Sequence, residues 1–188
     1  MMLIDIARLI IPDGIFYQEI PVSTLINAKR QPTPAFWPEG KGNYKAGIVI
    51  PEIAVEDSIT VLHQAIPDDP CILSGVENLL RRNHLLANNE PIDPELYAVF
   101  SILHELGHWF DFQTRYASRG LSGNEFNSDY NAEMSKLELG ELEKLIKMSE
   151  QGSDEFFNNL TLFHKKYREH PFEVIADQYA IEKLNALK

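Results

Sequence analysis

Cysteine is almost missing from this chain. Cys71 stands alone among 188 residues, which excludes an intramolecular disulfide and any cysteine-rich zinc module. Positive charge is scarce: 17 Lys and Arg face 28 Asp and Glu, for a formal net charge of −11. An overall electrostatic footprint for nucleic acid or an anionic membrane is therefore lacking. No run of about 18 apolar residues occurs, so no membrane-spanning helix is expected. The opening stretch MMLIDIARLIIPDG has no basic leader and carries Asp5 and Arg8 within its apolar residues. It reads as part of the fold, not as a signal peptide. What remains is ordinary globular material, 44% hydrophobic and 24% charged, in a length that favours one domain over residues 1–188. A cytoplasmic protein with neither nucleic-acid nor membrane partners is the expectation.

The first fifty residues look extended. Residues 14–21 (GIFYQEIP) and 44–51 (YKAGIVIP) are short, rich in aromatic and β-branched residues, and bounded by Gly and Pro, as strands are. Between them, residues 31–43 (QPTPAFWPEGKGN) carry too much Pro and Gly for anything but a loop. In that loop Phe36 and Trp37 serve either as a buried anchor or as part of a binding surface. From about residue 55 the apolar spacing becomes helical, predicting helices over 55–65, 72–86, 94–117, 132–149, 154–169 and 171–187. Residues 119–131 read as a polar loop. The best-marked start is at Asp93, an N-cap followed by Pro94 and Glu95, and Pro171 opens the last helix in the same way. A small N-terminal sheet followed by a mainly helical part makes the fold class α+β.

Chemistry concentrates in the helix over 94–117, which contains His104-Glu105-Leu106-Gly107-His108. Positions i and i+4 share a helix face, so both imidazoles can bind one Zn²⁺ at about 2.0–2.1 Å. Glu105, about 100° round the helix, can reach a water held by the metal without being a ligand, as a general base must. Gly107 costs about 1 kcal/mol against Ala inside a helix, which close approach of a second backbone would explain. A catalytic zinc wants a third protein ligand and one open position. The last helix offers Glu173 and Asp177, again i and i+4: Glu173 to bind the metal, Asp177 to accept the other ring N–H of a ligating histidine. Glu133, nearer in sequence and also near a helix start, is the competing ligand. A donor to stabilise a tetrahedral oxyanion is also needed. His170 and Tyr179 are the foremost candidates, beside Tyr130, Tyr167 and His164, and the residues alone do not choose. Asp111 and Arg115, at i and i+4, read as a surface ion pair. His63 and His84 read as structural or exposed, and Cys71 as a small buried residue.

HELGH followed by E-x-x-A-D resembles the gluzincins, zinc peptidases with H-E-x-x-H on one helix and Glu on a second. The E-x-x-x-D pair is similar to thermolysin-type sites, and EVIADQYA resembles the minigluzincins and the ImmA/IrrE-type regulatory peptidases. The resemblance covers about residues 94–118 and 170–185, and it is specific for the clan more than for any family in it. It implies a zincin-like fold with one catalytic zinc held by His104, His108 and Glu173, Glu105 as the base, and Asp177 supporting a histidine. The interval from His108 to Glu173 is longer than the resemblance implies, as two inserted helices would make it. The expected activity is zinc-dependent endopeptidase cleavage of a protein or peptide by a Glu-activated, zinc-bound water. The substrate would lie extended along an edge strand such as residues 44–50. The alternative is a zinc-binding regulatory or protein-interaction domain whose peptidase site is latent or plugged, by the 31–43 loop or the N-terminal strand.

Overall fold

The structure, a computed structural model, describes residues 1–11, 22–25, 31–42 and 45–187. Its elements are α1 (Leu3–Ile10), β1 (Val22–Leu25), β2 (Ala35–Trp37), β3 (Gly47–Pro51), α2 (Ser58–Ala65), α3 (Ser74–Arg82), α4 (Pro94–Arg115), α5 (Gly123–Lys136), α6 (Leu139–Met148), α7 (Asp154–Tyr167) and α8 (Pro171–Ala186). A small three-stranded mixed sheet thus precedes a mainly helical part, as the α+β reading expects. The expected strand over 14–21 lies outside the described residues.

Three expectations for the first half change. Residues 3–10 are helical, not extended: Leu3, Ile6 and Ala7 recur at helical spacing and are buried, while Asp5 and Arg8 pair on the outer side. The segment 31–42 is not all loop, because Ala35–Trp37 pairs antiparallel with β3. And β3 is no edge. It lies in the middle, parallel to β1 on one side and antiparallel to β2 on the other, with Ile48, Val49 and Ile50 fully buried. A run buried on both faces does not alternate, which makes centre and edge hard to tell apart in sequence.

In the second half, Asp93 accepts the Leu96 N–H at 2.9 Å and Pro94 opens α4, as the local signals predict. α3 is shorter than predicted. It ends at Arg82, where His84 takes φ +57° and the Leu85 N–H donates back to the Leu80 carbonyl. The polar stretch expected as loop is instead the start of α5, opened by a reciprocal capping box between Ser122 and Glu125. The helix predicted over 132–149 is broken at Glu138, φ +54°, into α5 and α6.

The main core joins α1, β3 and α4 with the second half of α8; Phe100 and Ile102 of α4 and Ala180 of α8 are all but inaccessible. A smaller aromatic cluster of Tyr116, Phe126 and Phe172 fills the space between α4, α5 and α8. Phe36 of β2 packs against both clusters. Half-buried, it pins β2 across the middle of α4 while also lining the cleft there. No helix among the described residues is long and apolar enough to cross a membrane.

Candidate metal centre

α4 and α8 pack along each other, and the close approach occurs where Gly107 stands. A Cβ built there would lie 2.7 Å from Ala176 Cα and 2.9 Å from its carbonyl oxygen. Glycine lets the two backbones nearly touch, and this brings the first turns of α8 against the histidine face of α4. His170 caps α8, its Nδ1 accepting from the Phe172 N–H, and Pro171 takes the first helical position.

The result is a buried group of three donors. His104 and His108 are 7% exposed and Glu173 2%. One ligand atom from each lies within 4.8 Å of the others, the one such grouping among the described residues. His104 Nε2 is 3.2 Å from Glu173 Oε2, and His108 Nε2 is 3.4 Å from Glu173 Oε1. A tetrahedral ion with bonds of about 2.0–2.1 Å sets its ligand atoms about 3.3 Å apart, so these spacings already suit one. This is a candidate metal centre of the zincin kind. Compared with known protein families, curated proteins and solved structures, the chain finds no match.

Asp177 stands behind His104, its Oδ1 2.9 Å from Nδ1 but off the N–H axis. The same Asp177 oxygen accepts from Arg168 Nη1 at 2.6 Å, and that nitrogen is 4.0 Å from Glu173 Oε2. Arg168 stacks over Phe100 at 5.7 Å. Sequence reasoning missed Arg168: it precedes the cap of α8 by two residues, and no motif marks it. Tyr130 of α5 donates to Glu173 Oε1 at 2.9 Å, and the Tyr167 hydroxyl is 3.2 Å from that of Tyr130. With Tyr130's proton committed to Glu173, Tyr167 is the donor of the two.

Charge follows this wiring. Burial disfavours the His104 imidazolium, but Asp177 and Glu173 outweigh it and hold its pKa up at about 9. Burial works against the Glu173 carboxylate too, yet the two imidazoles beside it keep its pKa well below the usual range. Desolvation raises Glu105, Tyr130 and Tyr167. The tyrosines therefore stay neutral O–H donors. Metal binding at this group has to displace the His104 proton.

Glu105 points from the same helix into a cleft lined by β2 residues, Asn127 and Tyr130. Its Oε2 accepts from the Phe36 backbone N–H at 2.6 Å. That contact spans 69 positions and ties β2 to the motif. A second cavity of about 360 Å³ adjoins His104 and Glu105, lined by apolar side chains such as Leu62, Leu73 and Val76.

Other candidates fall elsewhere. His170 is fully buried and both ring nitrogens are engaged, Nε2–H donating to the Tyr130 carbonyl at 3.0 Å. Tyr179 packs on Phe110 and beside Gly107, outside the residues lining either cavity at the centre. Glu133 pairs with Lys136 at 2.5 Å and is not part of the donor group. His164 bonds Asp69 at 2.7 Å, and Cys71, half-buried rather than buried, sits near Thr161; neither belongs to the donor group. Asp111 is buried rather than at the surface, held bidentately by Arg115, which lies over Phe172.

Proposed function

We propose that the protein is a zinc-dependent endopeptidase. The observation that carries this reading is Glu105, anchored by the Phe36 amide, opening onto a cleft beside the convergent His104, His108 and Glu173. Two imidazoles and one carboxylate form a donor set typical of catalytic zinc, and the three-ligand count leaves a position open. When bound, zinc supplies Lewis acidity, polarising a carbonyl and lowering the pKa of water to about 7.

The chain's own residues do the rest. The Phe36 N–H holds Glu105 Oε2, and Oε1, without a hydrogen bond among the described residues, takes the proton that water gives up as it attacks the scissile carbon. Glu105 then passes that proton to the leaving amine as the C–N bond breaks. Once Glu173 holds a metal, the neutral Tyr130 hydroxyl is freed, and we assign it with the adjacent Tyr167, in place of His170 and Tyr179, to the developing oxyanion. Asp177 and Arg168 position His104. An extended substrate adds along β2, which among the described residues pairs on one side only, rather than along the central β3.

The same Phe36 contact favours a second reading, a regulatory domain in which the 31–42 segment keeps the base occupied. Cleavage decides between them. Zinc-loaded protein should cut members of an unbiased peptide library, and Glu105→Gln should keep its zinc while losing all cleavage. A zinc-loaded wild type that cuts nothing supports the regulatory reading.

A further inference from the structure

A cavity of about 620 Å³, larger than either pocket at the metal centre, lies between α3, α7 and α8. Its volume is in the range of small-molecule sites. Leu79, Val174 and Ile181 supply apolar wall, and α3 and α7 add the exposed cations Arg82 and Lys165, neither in an ion pair among the described residues. Exposed carboxylates, Glu169 and Glu182, lie at the same rim. The half-buried Arg168 and the buried Asp177, the pair that backs His104, also line the groove. Only Nη1 of Arg168 meets a carboxylate; its other N–H groups have no protein acceptor among the described residues. Arg168 also lines the apolar cavity at the metal centre, so one side chain borders both spaces.

We propose that this groove is a second ligand site. It takes a small anion with an apolar body, such as an aromatic or aliphatic carboxylate, sulfonate or phosphate monoester. The body lies on Leu79, Val174 and Ile181, and the head takes the unused donors of Arg168, with Arg82 and Lys165 adding attraction. Occupation reaches the metal centre. An anion on Arg168 shares the cation that now serves Asp177, which frees Asp177 to turn onto the His104 Nδ1–H and makes that imidazole a better ligand. By linkage, the bound metal must strengthen anion binding by the same factor. Charge works in the same direction: a divalent ion held beside Glu173 adds positive charge near the groove, so loading the centre favours an anion there.

The full-length protein tests this with 8-anilinonaphthalene-1-sulfonate, whose emission rises on binding, and with N-phenyl-1-naphthylamine, the same body without its charge. One sulfonate should bind per zinc-loaded chain. Arg82→Glu should weaken the sulfonate about tenfold and the uncharged amine hardly at all. Gln178→Trp, which fills the groove from an exposed position, should weaken both. Stripping the zinc should loosen the sulfonate about fivefold or more, and the sulfonate should slow zinc loss to a chelator. Sulfonate binding untouched by both substitutions, with circular dichroism unchanged, overturns the site. Equal binding to loaded and stripped protein overturns its link to the metal. Neither readout uses peptide cleavage, so the result stands apart from the peptidase reading.

Discussion

Behind His104 stands Asp177, and behind Asp177 stands Arg168, a relay of 2.9 Å and 2.6 Å contacts that fixes the imidazole in place. Asp177→Ala should lower zinc affinity about 10- to 100-fold, as losses of such supporting partners do, while leaving stoichiometry intact. Competition with a metal-binding dye measures it. Tyr130→Phe should lower kcat about 10²- to 10³-fold with little change in KM, since an oxyanion donor acts on the transition state. Tyr179→Phe should leave kcat unchanged, because Tyr179 faces Phe110 and not the cleft. Equal losses in the two variants would move the donor elsewhere. HELGH and the Glu173–Asp177 pair were legible because helix periodicity converts spacing into a shared face. Arg168, Tyr130 and the Phe36 amide were not, or only as one option among several. Their roles come from contacts 9 to 69 positions apart that no local pattern encodes.

Among elements, the decisive contact is α4 on α8 at Gly107. Helix propensity alone says that Gly107→Ala should stabilise α4 by about 1 kcal/mol. The added methyl would instead meet Ala176 backbone at 2.7 Å, which cannot swing aside as a side chain does. The substitution should therefore destabilise, by about 1–3 kcal/mol as overpacked positions do, and weaken zinc binding as α8 is pushed off. Urea unfolding with and without a chelator checks both. The glycine's purpose was readable from its misfit inside a helix, and so were the starts of α4 and α8, since capping is local chemistry. α1 was less legible because Ile4, Leu9 and Ile10 blur its apolar stripe into a continuous run. The start of α5 hid in polar residues whose helix rests on the Ser122–Glu125 box and on Phe126 packing into the aromatic cluster.

For the molecule as a whole, the donor group makes stability depend on pH in opposite senses with and without metal. In the metal-free chain His104 is raised from 6.5 to about 9. Its contribution is complete below 6.5 and is lost as pH rises through 9. Glu173 is depressed below 4.5, so its contribution holds above 4.5 and is lost as pH falls through the folded value. Metal-free protein should thus be best supported by this site between about pH 4.5 and 6.5 and weaken toward pH 9. The zinc-loaded chain should strengthen over that same range, because zinc no longer competes with the His104 proton. Thermal unfolding at pH 6 and pH 9, with and without chelator, separates the two. Removing residues 171–188 should unfold the chain, since Ala180, Ile181 and Leu184 belong to the main core and Phe172 to the aromatic cluster. The α+β order was legible from the change in apolar period near residue 55; which strand lies at the edge was not, because strand order is set by packing between distant segments.

Zinc content, measured by mass spectrometry on wild type, Glu173→Ala and Glu133→Ala purified alike, tests most directly that α4 and α8 together hold the ion. One zinc per chain in wild type and in Glu133→Ala, with none in a folded Glu173→Ala, is the predicted result. A Glu173→Ala protein that keeps its zinc would contradict it.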